Sequence, residues 1–206
     1  MGLYGNVIGP RLINAVCGLG SVTEQRRKVV PLAEGVVVEI GFGKGHNLPL
    51  YDPARVETLF AVNPPDGFAR HTRMAADTAR LDVRVVEEGA EALSLDSGMA
   101  DTVVVTYALC SIPEPERAVG EMRRILKPGG RLLFCEHGRA GSEAARRWQT
   151  RLEPAWKRIG LGCHLTREPV RLLAAGGFRI EMIDEGPPPG TIETLEYHYI
   201  GAAHPA

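Results

Sequence analysis

The stretch Val36-Val37-Val38-Glu39-Ile40-Gly41-Phe42-Gly43-Lys44-Gly45 constrains this chain most tightly. Three successive valines followed closely by isoleucine favour a strand covered on both faces, where β-branched side chains pack well. The alternating glycines then turn the chain sharply, and a ligand can approach their backbone without meeting a Cβ. A buried strand feeding such a turn opens a parallel α/β sheet, and the remaining chain alternates accordingly. Strands are expected at 58–62, 83–86, 101–106 and 131–135, with crossover helices at 66–79 and 115–126. A helical segment follows over 140–159. Thr166 is placed to cap a helix running from Pro169 to Gly176-Gly177. Two last strands, 178–183 and 195–200, flank Gly186-Pro187-Pro188-Pro189-Gly190 and are open to antiparallel pairing, and 201–206 reads as a loose terminus.

With 206 residues, the chain fits a single domain over 1–206. Residues 1–31 read as an N-terminal helical extension, its first helix over 7–18 with Pro10 in the first turn and Gly18 at the end. Residues 140–170 are positioned to cover a substrate site. Hydrophobic residues make up 44%, charged residues 24%, and net charge is -1. Those values suit a soluble globular protein and supply neither a field nor a basic stripe for nucleic acid. The start of the chain lacks the pattern of a signal peptide, and no apolar run reaches the ~20 residues of a membrane span, so a cytoplasmic setting is expected. The short apolar face of 7–18 leaves peripheral membrane contact open, and oligomeric state is not written in the sequence. Cys17, Cys110, Cys135 and Cys163 lie far apart, which argues for reduced thiols and against a local zinc cluster. No metal is expected.

Glu39 narrows the choice of ligand. Its carboxylate can hold an ammonium directly or through water, whereas beside a pyrophosphate it would add like-charge repulsion. The Gly-x-Gly-x-x-Gly of nicotinamide sites is also absent here. On these residues the stretch resembles motif I of the class I S-adenosylmethionine-dependent methyltransferases. The resemblance implies a Rossmann-like, seven-stranded, mostly parallel sheet with helices on both faces and an antiparallel C-terminal strand. It also implies that Glu39, Gly41, Gly43 and Gly45 surround the methionine portion of S-adenosylmethionine. Asn63 ends the second strand, where an acidic side chain commonly receives ribose hydroxyls. Its amide oxygen can accept such a bond without the charge-assisted grip, and a plain turn role before Pro64-Pro65 is the alternative. The run Glu88-Gly89-Ala90-Glu91-Ala92-Leu93 resembles the loop bordering adenine, with Gly89 in place of an acidic residue. Backbone groups of Gly89 and Ala90 would frame the base, and Glu91 either joins them or faces water. Thr106-Tyr107-Ala108, after the strand opened by Asp101, looks like the wall beside the transferred methyl. The segment from Glu121 through Lys127-Pro128-Gly129-Gly130 to Leu132 resembles the family's next helix, turn and strand. These elements keep the family's order over about 100 residues.

Beyond that common domain, Glu136-His137, Trp148, the run Leu152 to Trp156, and the run Gly162 to Glu168 resemble the methyltransferase-like 7 group. That group is associated with alkyl-thiol methylation, and its bacterial relatives are often labelled phospholipid or quinone methyltransferases. The implied activity is methyl transfer to a small-molecule acceptor, a hydrophobic thiol foremost. A phospholipid amine or quinone-like oxygen is the second acceptor class. A noncatalytic cofactor-binding regulator, suggested by Asn63 and Gly89, is the third reading. Direct displacement at the sulfonium needs alignment and desolvation rather than a covalent intermediate. His137 could orient or deprotonate the acceptor, or be tied to structure, with Glu136 behind it. Tyr107 could cover the acceptor, and His164, Thr166 and Arg167 could border it. Cys163-His164 is disfavoured as a nucleophile–base or metal pair, since adjacent side chains generally diverge. Trp148 and Trp156 make either a lid or ordinary core.

Overall fold

A computed structural model of the chain describes residues 9, 17–65 and 69–206. The helix expected over 7–18 therefore lies almost entirely outside the described residues, as do 66–68 of the first crossover. The described part opens with helix α1 (Gly20–Arg26) and a short 3-10 turn at Val30–Leu32. Strand β1 (Gly35–Ile40), strand β2 (Val56–Val62), helix α2 (Ala69–Asp77), strand β3 (Val83–Val86) and strand β4 (Ala100–Thr106) follow. Next come helix α3 (Pro115–Ile125), strand β5 (Leu126–His137), helix α4 (Glu143–Ile159), helix α5 (Pro169–Ala175), strand β6 (Phe178–Gly186) and strand β7 (His198–Pro205).

One seven-stranded sheet has the order β3-β2-β1-β4-β5-β7-β6. Strands β1 to β5 run parallel, and β7 lies antiparallel between β5 and β6. The mostly parallel, Rossmann-like architecture expected from the sequence is thus the one observed. Its centre is β1, with Val37, Val38 and Ile40 buried, because β2 and β4 flank it and both faces are covered. One face carries α3, which buries Ala118, Val119, Met122 and Ile125, an i, i+1, i+4, i+7 stripe suited to a sheet-packing helix. Pro115 opens that helix at a position whose N–H would be unsatisfied anyway.

The C-terminal third departs from its sequence reading. The last strand starts at His198 rather than 195, since its register is set by β5, where His137 stands opposite His198. Residues 201–205 are not a loose end: 201–203 pair on both sides and His204 and Pro205 with β6, with Ala203 fully buried. Small Gly and Ala side chains have weak strand preference by themselves, and tertiary pairing overrides it. Thr166 does not cap α5; Glu168 occupies that position, with no side-chain cap bond. Helix α4 is capped by Ser142, whose hydroxyl accepts from the Ala145 N–H, and it runs through Pro154, forgoing one intrahelical bond. No helix among the described residues is long and apolar enough to cross a membrane.

Candidate active site

The strand order reverses at β1, with β2 on one side and β4 on the other. Loops leaving the carboxyl ends of β1 and β4 consequently diverge and leave a crevice, the usual ligand position in open α/β sheets. A cavity of about 640 Å³ occupies it. That volume lies within the span of about 300–1,000 Å³ common to small-molecule sites. Of the residues singled out in the sequence, Glu39, Gly41, Gly43, Asn63, Gly89, Ala90, Glu91, Thr106 and Tyr107 line it. Gly45 does not. Its φ of +75° and a would-be Cβ 2.8 Å from Leu48 Cδ1 show a glycine required by the turn and by packing against α2.

Glu39 is buried at the end of β1 and clamped from the following loop. Tyr51 donates its hydroxyl to Oε2 at 2.7 Å, and Asn47 Nδ2 donates to Oε1 at 3.0 Å and to Thr106 Oγ1 at 3.0 Å. Burial pushes the Glu39 carboxyl up to about 7, with the Tyr51 and Asn47 bonds and nearby Arg26 only partly offsetting it. A cationic ligand would therefore find a group ready to ionise against it. Asn63 lines the cavity and also serves the turn, the second of its two expected roles. Its Oδ1 accepts from the Gly43 N–H at 3.1 Å and its Nδ2 donates to the Pro64 carbonyl, so the side chain pins the glycine turn to the end of β2. Thr72 of α2 donates to the Gly43 carbonyl at 2.7 Å from the other side. At the β3 end, the Glu91 carboxylate folds across Gly89, where a Cβ would meet Glu91 Oε2 at 2.7 Å.

The opposite wall follows β4. Tyr107 adopts a left-handed φ of 53°, and the N–H groups of Ala108 and Leu109 both donate to Glu136 Oε1, at 2.8 and 3.2 Å. Burial raises the Glu136 carboxyl to about 7, against the pull of these backbone bonds. Tyr107 is a wall rather than a cover. Its hydroxyl accepts from Cys135 Sγ at 3.4 Å inside the core, and its ring lies under the Arg26 guanidinium, 4.8 Å from the ring centroid. A phenol so placed is held well above its ordinary pKa by burial first, and does not offer itself as a base.

Neither histidine proposed for chemistry lines the cavity. His164 Nδ1 meets Glu153 Oε1 at 2.8 Å, and burial lowers its pKa. His137 Nε2 lies 3.0 Å from Cys163 Sγ. Burial opposes charge on that ring, but the sulfur and the carboxylates of Glu136 and Glu153 outweigh it and raise the pKa. Arg167 does not border the cavity either; its guanidinium donates to the carbonyls of Leu109 and Ile112, clamping the loop after β4. Trp148 is 55% exposed beside Arg151, and Trp156 Nε1 donates to Cys163 Sγ at 3.3 Å. Of the two readings of the tryptophans, the lid is not seen, since neither lines the cavity, and Trp148 is not core either; from 140–170 only Gly160 and Leu161 reach the cavity. Two of the four cysteines, far apart in sequence, do gather: one ligand atom each from Cys110, His137 and Cys163 lie within 4.8 Å of one another. Adjacent side chains at 163 and 164 diverge as expected, yet partners of Cys163 arrive from the loop after β4 and the end of β5.

Several residues of consequence escaped the sequence reading. Arg26 is buried on α1, lines the cavity, and donates from Nη1 to the Cys17 carbonyl. Asn47 and Tyr51, eight and twelve residues after Glu39, carry a weak signal as polar residues amid the apolar Leu48-Pro49-Leu50. Arg26 carries none, since it reads as one more charge on a polar helix.

Comparison with known proteins now decides between ligand classes. Residues 38–134 match a family model described as a methyltransferase domain. The rat thiol S-methyltransferase TMT1B is 36% identical over 175 residues, covering 82% of this chain and 70% of that protein. The human TMT1B is likewise 36% identical, over 81% of this chain and 69% of its own length. The chain belongs to the class I S-adenosylmethionine-dependent methyltransferases. Among solved structures, the methyltransferase of Mesorhizobium loti superposes with a TM-score of 0.64 at 16% identity, over 91% of this chain and 99% of that one. At that identity the likeness concerns the fold alone.

This methyltransferase transfers a methyl group from S-adenosylmethionine to a small acceptor, and its cavity fits the cofactor. The methionine portion carries an ammonium and a carboxylate on one carbon, so its partners must be opposite charges side by side. Glu39 and Arg26 are such a pair, close enough for Arg26 to depress the Glu39 carboxyl. Two buried atoms of cavity-lining residues, Arg26 Nε and Asn47 Oδ1, have no hydrogen-bond partner among the described residues. They are the kind of orphaned donor and acceptor that a zwitterionic ligand satisfies.

Proposed function

We propose that the acceptor is a small hydrophobic thiol. The observation that carries this reading is the reach of the TMT1B similarity. It extends over 175 residues, well beyond the length of the 38–134 match to the methyltransferase domain. The Cereibacter sphaeroides phosphatidylethanolamine N-methyltransferase and the Thermus thermophilus demethylmenaquinone methyltransferase align over 123 and 136 residues, at 31% and 29% identity. The cavity's chemistry supports the same choice. Ala108, Ile112 and Leu161 supply an apolar flank, and the two histidines considered as bases are engaged outside it. A thiol, with a solution pKa near ~8.5, ionises partly without a strong base, whereas a protonated amine must first lose its proton. Bound S-adenosylmethionine supplies an electrophilic methyl on sulfur, open to a single displacement by the acceptor. In this reading Glu39 holds the ammonium, Arg26 the carboxylate, Gly41 and Gly43 let the cofactor lie against the backbone, and Asn63 keeps that turn in place. Gly89, Ala90 and Glu91 border the adenosine end, while Thr106 and Tyr107 wall the reacting centre. Four free thiols support a cytoplasmic, reducing setting.

Radiolabelled methyl transfer tested on alkyl thiols, phosphatidylethanolamine and a demethylated quinone should give product only with the thiols. Turnover confined to either of the others would overturn the thiol assignment and leave the cofactor site standing. The role of Arg26 has its own check. Arg26→Gln is expected to weaken S-adenosylhomocysteine by about 10- to 100-fold, the worth of a charge-assisted hydrogen bond. Binding of methylthioadenosine, which lacks the amino acid portion, should not change. Equal losses for both ligands would place Arg26 elsewhere.

A further inference from the structure

The group formed by Cys110, His137 and Cys163 has no part in the cofactor site and lies behind its acceptor wall. Cys110 follows the Tyr107–Leu109 turn, His137 ends β5, and Cys163 belongs to the linker after α4 whose Gly160 and Leu161 line the cavity. Hydrogen bonds lock the three segments together: the His164 N–H donates to the Cys110 carbonyl at 3.0 Å, the Arg167 guanidinium clamps the Leu109 and Ile112 carbonyls, and the Arg139 N–H, two residues after His137, donates to the Arg167 carbonyl at 2.8 Å. Cys110 is buried, and His137 and Cys163 are partly buried.

We propose that Cys110, His137 and Cys163 bind one thiophilic divalent cation, Zn²⁺ by preference, through two thiolates and an imidazole nitrogen. Two sulfurs and one nitrogen form a donor set characteristic of zinc, with the fourth tetrahedral position left to water. Zn–S and Zn–N bonds of about 2.3 and 2.0 Å place sulfur and nitrogen about 3.5 Å apart. The present His137 Nε2 to Cys163 Sγ separation of 3.0 Å is a hydrogen bond that would open by about half an ångström as the ion enters. The charge balances: two thiols release their protons to solvent, and two thiolates neutralise the dication, so the occupied site carries no net charge into a partly buried place. A donor to the sulfur is already in position, Trp156 Nε1 at 3.3 Å from Cys163 Sγ, the sort of outer contact that tunes a metal-bound thiolate. A disulfide between the same cysteines would leave the convergence of the imidazole unexplained. The bound ion would fasten together three segments that wall the acceptor side. Metal binding itself does not depend on the acceptor being a thiol.

The test uses the full chain, reduced and stripped with a chelator, titrated with Co²⁺ as the spectroscopic stand-in for Zn²⁺. Saturation at one equivalent is expected, with thiolate-to-metal charge-transfer absorption and the strong visible bands of a tetrahedral site, both bleached by Zn²⁺. Cys110→Ser and Cys163→Ser should each lose about half of the charge-transfer intensity at saturation, the double variant all of it, and each single variant should weaken Co²⁺ by at least about a hundredfold, more than the loss of an outer contact would cost. Both variants should retain wild-type affinity for S-adenosylmethionine, which reports an intact fold. In the unaltered protein, Zn²⁺ should slow the reaction of the partly exposed Cys163 with a thiol reagent and leave Cys17 unaffected. A wild-type titration without charge-transfer absorption, a band undiminished when both cysteines are replaced, or Cys163 equally reactive with and without Zn²⁺ would each overturn the site.

Discussion

Gly41→Ala is expected to destabilise the fold by about 3 kcal/mol and to abolish measurable S-adenosylmethionine binding. Two costs coincide at this residue. Its φ of +76° is a left-handed conformation that penalises any Cβ by about 1–2 kcal/mol. The added methyl would also lie 2.5 Å from Ala108 Cβ, an overpacking worth about 1–3 kcal/mol. Ala108 has no room to retreat, because its N–H is held 2.8 Å from the buried Glu136 carboxylate. The clash would therefore spread the glycine turn and the Tyr107 wall, the two sides of the cavity. Gly43→Ala shares the left-handed penalty, with φ +58°, yet its Cβ would meet nothing nearer than the Gly41 carbonyl oxygen at 3.9 Å. That variant should lose only about 1–2 kcal/mol of stability. Urea denaturation and isothermal titration of both proteins would decide the matter. Wild-type stability and affinity in Gly41→Ala would show that the two loops are not in the contact described.

Cofactor affinity should fall about tenfold for each pH unit below about 7, and Glu39→Gln should abolish that dependence. In the cofactor-free protein burial holds the Glu39 carboxyl at about 7, so at lower pH it is protonated. An ammonium partner favours the carboxylate, and binding must then expel the proton. Each pH unit below the free-state value makes this harder by about 1.4 kcal/mol. Calorimetry in buffers of different ionisation heat should register proton release near pH 6 that fades above about pH 8. Glu39→Gln should also cost about 3 kcal/mol of affinity above neutrality, roughly a hundredfold, as expected when one partner of a buried charged hydrogen bond is removed. The substitution separates Glu39 from Glu136, whose carboxyl is likewise raised to about 7. A pH-dependent affinity that persists in Glu39→Gln would move the effect to another group.

The same shift sets a sign for stability without cofactor. A carboxyl whose folded pKa is raised contributes stability that is fully present below its unfolded value. That contribution is lost as pH rises through about 7. His198 acts in the opposite sense: burial lowers it to about 4, so its contribution is lost as pH falls below about 6.5. The Glu39 window, from 4.5 to about 7, overlaps the His198 window, from 6.5 down to about 4, with opposite sign, so the two partly cancel in the cofactor-free protein, and bound cofactor should remove the Glu39 loss.

The residues from Val36 to Gly45 were legible in the sequence because their chemistry is local. β-Branched side chains declare a covered strand, and glycines at alternate positions declare a turn that only glycine tolerates, as the φ values of Gly41, Gly43 and Gly45 bear out. Glu39 was legible for a related reason, since a carboxylate at the end of a buried strand requires compensation. The C-terminal strand was less legible. Gly201, Ala202 and Ala203 state no preference of their own, and they become the interior of β7 only because β5 and β6 present unpaired backbone on either side.

What the sequence determined is thus the parallel sheet and the place of its ligand crevice, which rest on periodicity and short contiguous motifs, and, through the resemblance those motifs bear to a known family, the cofactor class. The tertiary structure alone decided which distant side chains share that crevice. Arg26 comes within electrostatic reach of Glu39 from a helix that precedes the sheet, Asn63 at the cavity edge also binds the glycine turn, and Cys110, His137 and Cys163 converge from the loop after β4, the end of β5 and the linker after α4. Side-chain convergence depends on crossover geometry and sheet register, which fix positions in space without leaving a pattern along the chain.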